Sequence, residues 1–248
     1  AVNFRYSLIA SFVLLPISAT TAEPLSLENV TKPEKNRRDE PLAEKFSVDA
    51  AAHFLDSASL DWLKRRRCFT CHTNYPYLMA RPLLGATDMA HRQVRAFAEE
   101  TVTDQWPDEG PNFDAEVVSI AALLAFNDAM DTGELHTLTK RALDRMWELQ
   151  RDDGGFDWIN ANTAPSELDD HYGVTLALIG VGSAPGGYAD TPQAQAGIEK
   201  LRGYLARHPT TYAHQSGMLL WAASYVENLV TPDDRQRRVT ELLSLQKD

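Results

Sequence analysis

Apolar side chains between Ser47 and Asp248 recur at helical spacing, and no stretch alternates convincingly with the period of two that a half-buried strand requires. The pattern predicts an all-α chain with little or no sheet. Ser47 is placed to cap a helix running through Leu55, and Asp114 to cap the apolar run from Val117 to Met130, which Gly133 follows as a stop. Thr191-Pro192 and Thr231-Pro232 each read as a cap followed by proline at the first helical position, where the missing N–H has no partner to lose. Tyr172 to Gly182 is apolar but holds three glycines and several β-branched residues. Its length and hydropathy predict a buried helix whose small residues allow close packing.

A longer period overlies the helical one. From Arg141 to Phe156 a helix ends in Gln150, an acidic Gly154-Gly155 turn and the aromatic Phe156. A degenerate echo lies at Gln105-Trp106 through Gly110 and Phe113, and Val239 to Gln246 repeats the helix and the glutamine at the other end. Ala196 to Leu205 carries the helix without the turn. The spacing of roughly 45 to 50 residues is that of two-helix repeat units. The Gln150-to-Phe156 turn resembles the QW motif of the terpenoid cyclase and prenyltransferase family, which includes the squalene-hopene cyclases, with Phe156 in the usual tryptophan position and Trp158 nearby. The resemblance covers roughly Ala50 to Asp248. It implies a partial α/α toroid of two-helix repeats, in which the glutamine amide bridges backbone groups and the aromatic stacks over it. The last repeat stops at Asp248 before its expected glycines and aromatic, so the array is expected to continue further. An arc of this kind should expose an apolar edge, because each repeat buries its face only against a neighbour.

Residues 1–22 read as a secretory signal, with one early charge at Arg5, an apolar run from Tyr6 to Ile17 and small residues up to Ala22. The run is shorter than the roughly 20 residues a membrane span needs, and Pro16 interrupts it. The mature chain is then expected to be exported, periplasmic or beyond, without a membrane span. Residues 23–46 mix Pro24, Pro33 and Pro41 with charges and no apolar periodicity, the composition of a disordered linker, leaving 47–248 as the helical repeat domain. A net charge of -11 argues against a broad nucleic-acid surface.

Within the repeat domain, Cys68-Phe69-Thr70-Cys71-His72 holds the only two cysteines. This is the attachment pattern of covalent haem c: two thiols add to the porphyrin vinyl groups and the adjacent His72 ligates the iron. A redox disulfide, which lacks a thioredoxin-like context, and a zinc site, which lacks a second ligand pair, are rival readings, and a small structural disulfide loop is a third. For the sixth iron position Met79, Met89, His91 and His53 are candidates beside an open site, with Met79 also readable as core. Arg81 and Arg65 are candidates to pair the propionates, or members of a solvated basic turn.

The second candidate chemistry is Glu167-Leu168-Asp169-Asp170. The resemblance to class II terpene cyclases implies a DxDD acid, which by position is Asp169 with Asp170 beside it. Glu167 departs from that pattern, and an acidic cluster before an apolar run is also an ordinary helix start. His214 reads as a polar helix residue rather than a ligand. Three functions follow as expectations: a haem protein that transfers electrons or senses a redox ligand with a redox partner protein, an alkene-protonating enzyme with a small hydrophobic ligand, and a non-catalytic scaffold.

Overall fold

A computed structural model describes residues 23–35, 37–67, 73–106 and 113–247. The described chain is helical: α1 (Val48–Arg66), α2 (Asn74–Ala80), α3 (Met89–Glu100), α4 (Phe113–Asp131), α5 (Thr137–Glu148), α6 (Asp170–Ser183), α7 (Pro192–Arg207), α8 (Ala213–Ala222) and α9 (Pro232–Ser244). Among the described residues there is no strand, only an isolated bridge between Thr163 and Glu167. Caps form where short polar side chains meet the orphan N–H groups of a first turn. Ser47 Oγ accepts from Ala50, Thr191 from Ala194 and Thr231 from Asp234. Gly133 ends α4 at φ 71°, where its N–H reaches the carbonyl of Asp128, a left-handed stop that glycine adopts without steric cost. A π-helical turn over Thr101–Gln105 prolongs α3.

Two kinds of helix build two layers. Val117 to Asp128 of α4 and Gly173 to Val181 of α6 are buried all round, in keeping with their largely apolar sequences. In α5 only Thr139, Ala142, Leu143 and Met146 are buried, and in α7 Ala194, Gly197, Ile198, Leu201 and Tyr204: single stripes at helical spacing. Accordingly α2, α4, α6 and α8 pack in series as one layer, while α5, α7 and α9 each back onto the preceding member of it, and α1 closes the other end against α2 and α3. Close approach explains the glycines of α6. A methyl group on Gly180 would lie 2.4 Å from Ala122 Cα, and one on Gly182 2.7 Å from Tyr225 Cβ. The helices touch backbone to backbone because nothing projects between them.

Side-chain ties between one part of the helical array and the next span nearly constant chain distances. Asn127 reaches Leu78, Arg95 reaches Thr139, the Asp157 amide reaches Asp114, Gln150 reaches Gly197 and Gln215 reaches Asp169, at separations of 49, 44, 43, 47 and 46 residues. The segment expected to be a disordered linker is partly packed. Val30 is buried and Leu25 and Leu27 lie against the core, with the Leu27 amide bonded to Gln93 and Lys64 Nζ to the carbonyls of Glu28 and Val30. Three apolar residues within a proline-rich, charged stretch suffice when α1 and α3 leave a seam for them.

Candidate functional site

Cys68, Cys71 and His72 lie outside the described residues; their flanks do not. α1 ends at Arg66, capped by Arg67, whose backbone is left-handed (φ 46°), and α2 begins at Asn74 after Thr73. The motif therefore connects two helices that pack on one another. On α1, the indole N–H of Trp62 and the hydroxyl of Ser59 are buried without hydrogen-bond partners. Arg66 lies over the Trp62 ring, 5.6 Å from its centroid, and among the described residues neither Arg66 nor Arg67 forms an ion pair.

The candidates proposed around the motif have separate fates. Arg81 is buried, with Nε 2.8 Å from Asp56 Oδ1 and Nη2 3.4 Å from Asp88 Oδ2. Tyr77 donates to the same Asp56 oxygen at 2.6 Å, and burial, with that carboxylate, pushes its phenol well above the usual range. Arg65 is held by Asp61 at 2.6 Å. Met79 is half-buried against the core, while Met89 and His53 are exposed. A pocket of about 440 Å³ opens beside His53, Asp56, Arg81 and Asp88.

His91 belongs to a buried polar cluster that the sequence reading missed. Asn127 Oδ1 accepts from Arg95 Nη1 at 2.6 Å, so its amide nitrogen is the group facing Leu78 O (2.8 Å) and His91 Nε2 (2.9 Å). Nε2 therefore accepts, and the ring proton sits on Nδ1, which has no hydrogen-bond partner; Asp131 Oδ2 is 4.0 Å away. Burial lowers the His91 imidazole below its ordinary range, against the pull of Asp131. Arg95 Nη2 pairs at 2.6 Å with the buried Asp128, whose other oxygen accepts from the His136 amide. The signal was present: adjacent Asn127 and Asp128 interrupt an apolar helix, and buried polar groups need partners.

The parallel helices α6 and α8 bring their first turns together. Asp169 caps α6, accepting from the His171 amide at 3.0 Å with Oδ1 and from Gln215 Nε2 at 2.7 Å with Oδ2. Both oxygens thus serve as acceptors from N–H donors that fix the helix ends. Asp170 Oδ2 accepts from Arg151 Nη2 at 2.6 Å. Arg151 also binds Asp153, Asp157 and the Phe156 carbonyl, and so organises the Gln150 turn. Gln150 Nε2 donates to Gly154 O and Gly197 O, and Phe156 is fully buried. The ring of Trp147 packs flat enough on Gly197 that a methyl there would meet it at 2.3 Å. Glu116, in the first turn of α4, has its carboxyl pushed up by burial alone, a second feature that sequence reasoning passed over.

Among the described residues no group of three or more His, Cys, Asp or Glu is arranged to hold a metal ion, and no helix is long and apolar enough to cross a membrane. Comparison with known protein families, with curated proteins and with solved structures finds no match to this chain.

Proposed function

We propose that this chain is an exported haem c protein that transfers electrons or senses a redox ligand, built on a partial α/α toroid of two-helix repeats. The observation that carries the reading is Cys68-x-x-Cys71-His72 between two packed helices, beside buried donors that have no partner among the described residues. In this reading Cys68 and Cys71 would hold the macrocycle through thioether bonds and His72 would supply a nitrogen ligand, and the group, when bound, would provide one-electron chemistry. The chain's own residues anchor and neutralise the group. Among the described residues Trp62 Nε1 and Ser59 Oγ are donors in want of an acceptor, and Arg66 and Arg67 are cations without carboxylate partners, a set that suits two propionates. Arg81 and Arg65, committed to Asp56, Asp88 and Asp61, leave that pairing to their neighbours. The layered array of α2, α4, α6 and α8 with its outer helices and the Gln150 tie supports the toroid reading.

Export of the full chain from a host that attaches haem c, followed by intact mass and a pyridine haemochrome spectrum, tests the reading. One haem of added mass with c-type bands is expected, lost in Cys68→Ala. An unmodified or disulfide mass overturns it. No observation favours Asp169 as an alkene-protonating acid over its role as a cap.

A further inference from the structure

His171 is 4% exposed, and neither of its ring nitrogens has a hydrogen-bond partner. It occupies the second position of α6, and His214, whose Nε2 is also buried and unpartnered, occupies the second position of α8. Two imidazoles thus stand at equivalent places in consecutive parallel helices, each at the end where the helix dipole disfavours a cation. The junction around them holds three helices together. Asp169 accepts from Gln215 across α6 and α8, and Arg238 of α9 donates to Thr210 and Ser216 at 2.6 and 2.9 Å while held by Asp234.

We propose that this junction is an acid-operated latch: a proton on His171 releases the α8–α9 hairpin from α6, while the α4–α5 part of the array holds. The groups facing the ring decide the sign. On α6, Asp169 attracts a charged His171, but its two oxygens are already engaged by N–H donors, and Asp170 is paired with Arg151. From α8 comes His214, and from α9 the guanidinium of Arg238, both of which oppose a second positive charge. The α7 neighbour, Tyr204, has its phenol pushed up to about 12 by burial and by Asp170, and carries no charge at these pH values. A protonated ring buried here must find water, and the route to water is separation of α8 and α9 from α6. The neutral ring leaves an N–H and a lone pair unpaired, a smaller cost than an uncompensated buried charge. The inference does not depend on the haem reading.

Amide hydrogen exchange on the full chain, corrected for intrinsic rates and followed from pH 7.5 to 5, tests it. Protection over 213–244 is expected to fall at least tenfold more than over 113–148. In His171→Gln, whose amide stays neutral, the two blocks should fall in step, whereas His91→Gln should leave the difference in place. Wild-type blocks that stay in step, or a difference that persists in a folded His171→Gln protein, overturn the proposal. Should His171→Gln not fold, two further readouts decide. The His171 ring resonance in the wild type must titrate over the pH range in which 213–244 opens, and His214→Gln, which removes one opposing imidazole, must move that opening to higher pH; failure of either overturns the latch.

Discussion

Gly154 and Gly133 both have positive φ, 82° and 71°, but their surroundings differ. A methyl on Gly154 would sit 2.1 Å from the backbone oxygen of Lys200, whereas none on Gly133 would meet any atom within 4 Å. Left-handed backbone costs a residue with a side chain about 1 kcal/mol or a little more. Gly133→Ala should lose roughly that, and Gly154→Ala about 3 kcal/mol or more, because the α7 backbone cannot yield without dragging the repeat with it. Urea unfolding midpoints of the two variants would separate the effects, and equal losses would show that the turn is not pressed on α7. Such pairs of glycines look alike in a sequence. Their turn conformation was legible from the acidic, glycine-rich signal, but the collision partner, 46 residues downstream, is a product of docking.

At the scale of elements, largely apolar runs against striped ones divide inner from outer helices; the apolar run Val117 to Met130 and the cap at Thr191-Pro192 were legible in the sequence, but the division into layers was not read from them. The buried helix at α6 was legible too, from small residues in an apolar setting. Gly180→Ala tests the reason given for them: its methyl would fall 2.4 Å from Ala122 Cα, forcing α4 and α6 apart at about 2 kcal/mol of stability. Thermal or urea unfolding reads this directly, and an unchanged protein would show the helices free to separate. Less was legible of the polar interior. Arg95, Asn127, Asp128 and His91 come from two helices whose mutual register no local pattern encodes, and the folding of Leu25 to Val30 onto α1 and α3 depends on a seam that exists only after those helices have met. The haem-type motif was legible purely as spacing and stands on chemistry that the helices around it do not dictate.

Over the whole molecule, two buried imidazoles lie at opposite ends of the array, His91 under α4 and His171 at the junction with α8. Burial is the leading cause that holds both below the ordinary histidine value of 6.5. As pH falls the unfolded chain therefore takes up these protons first, so the stability that neutral rings allow is complete above about pH 6.5 and declines below it toward the depressed folded values. The unfolding free energy measured by urea at pH 7.5 and at pH 5.5 should fall, and His91→Gln should remove part of the decline. A stability that rises between those pH values would contradict the buried, neutral state of both rings.

The ties that join one part of the helical array to the next, separated by 43 to 49 residues, also set a timetable. A ribosome adds about 5 to 20 residues each second, while helices form in microseconds. Each contact thus becomes available a few seconds after the one before it, in the order of synthesis, and none of these five waits for the far end of the chain. Wherever the chain emerges end first, from the ribosome or from an export channel, its newest helices can dock on a finished neighbour while the next are still to come, so assembly follows the order of emergence rather than a search among distant parts.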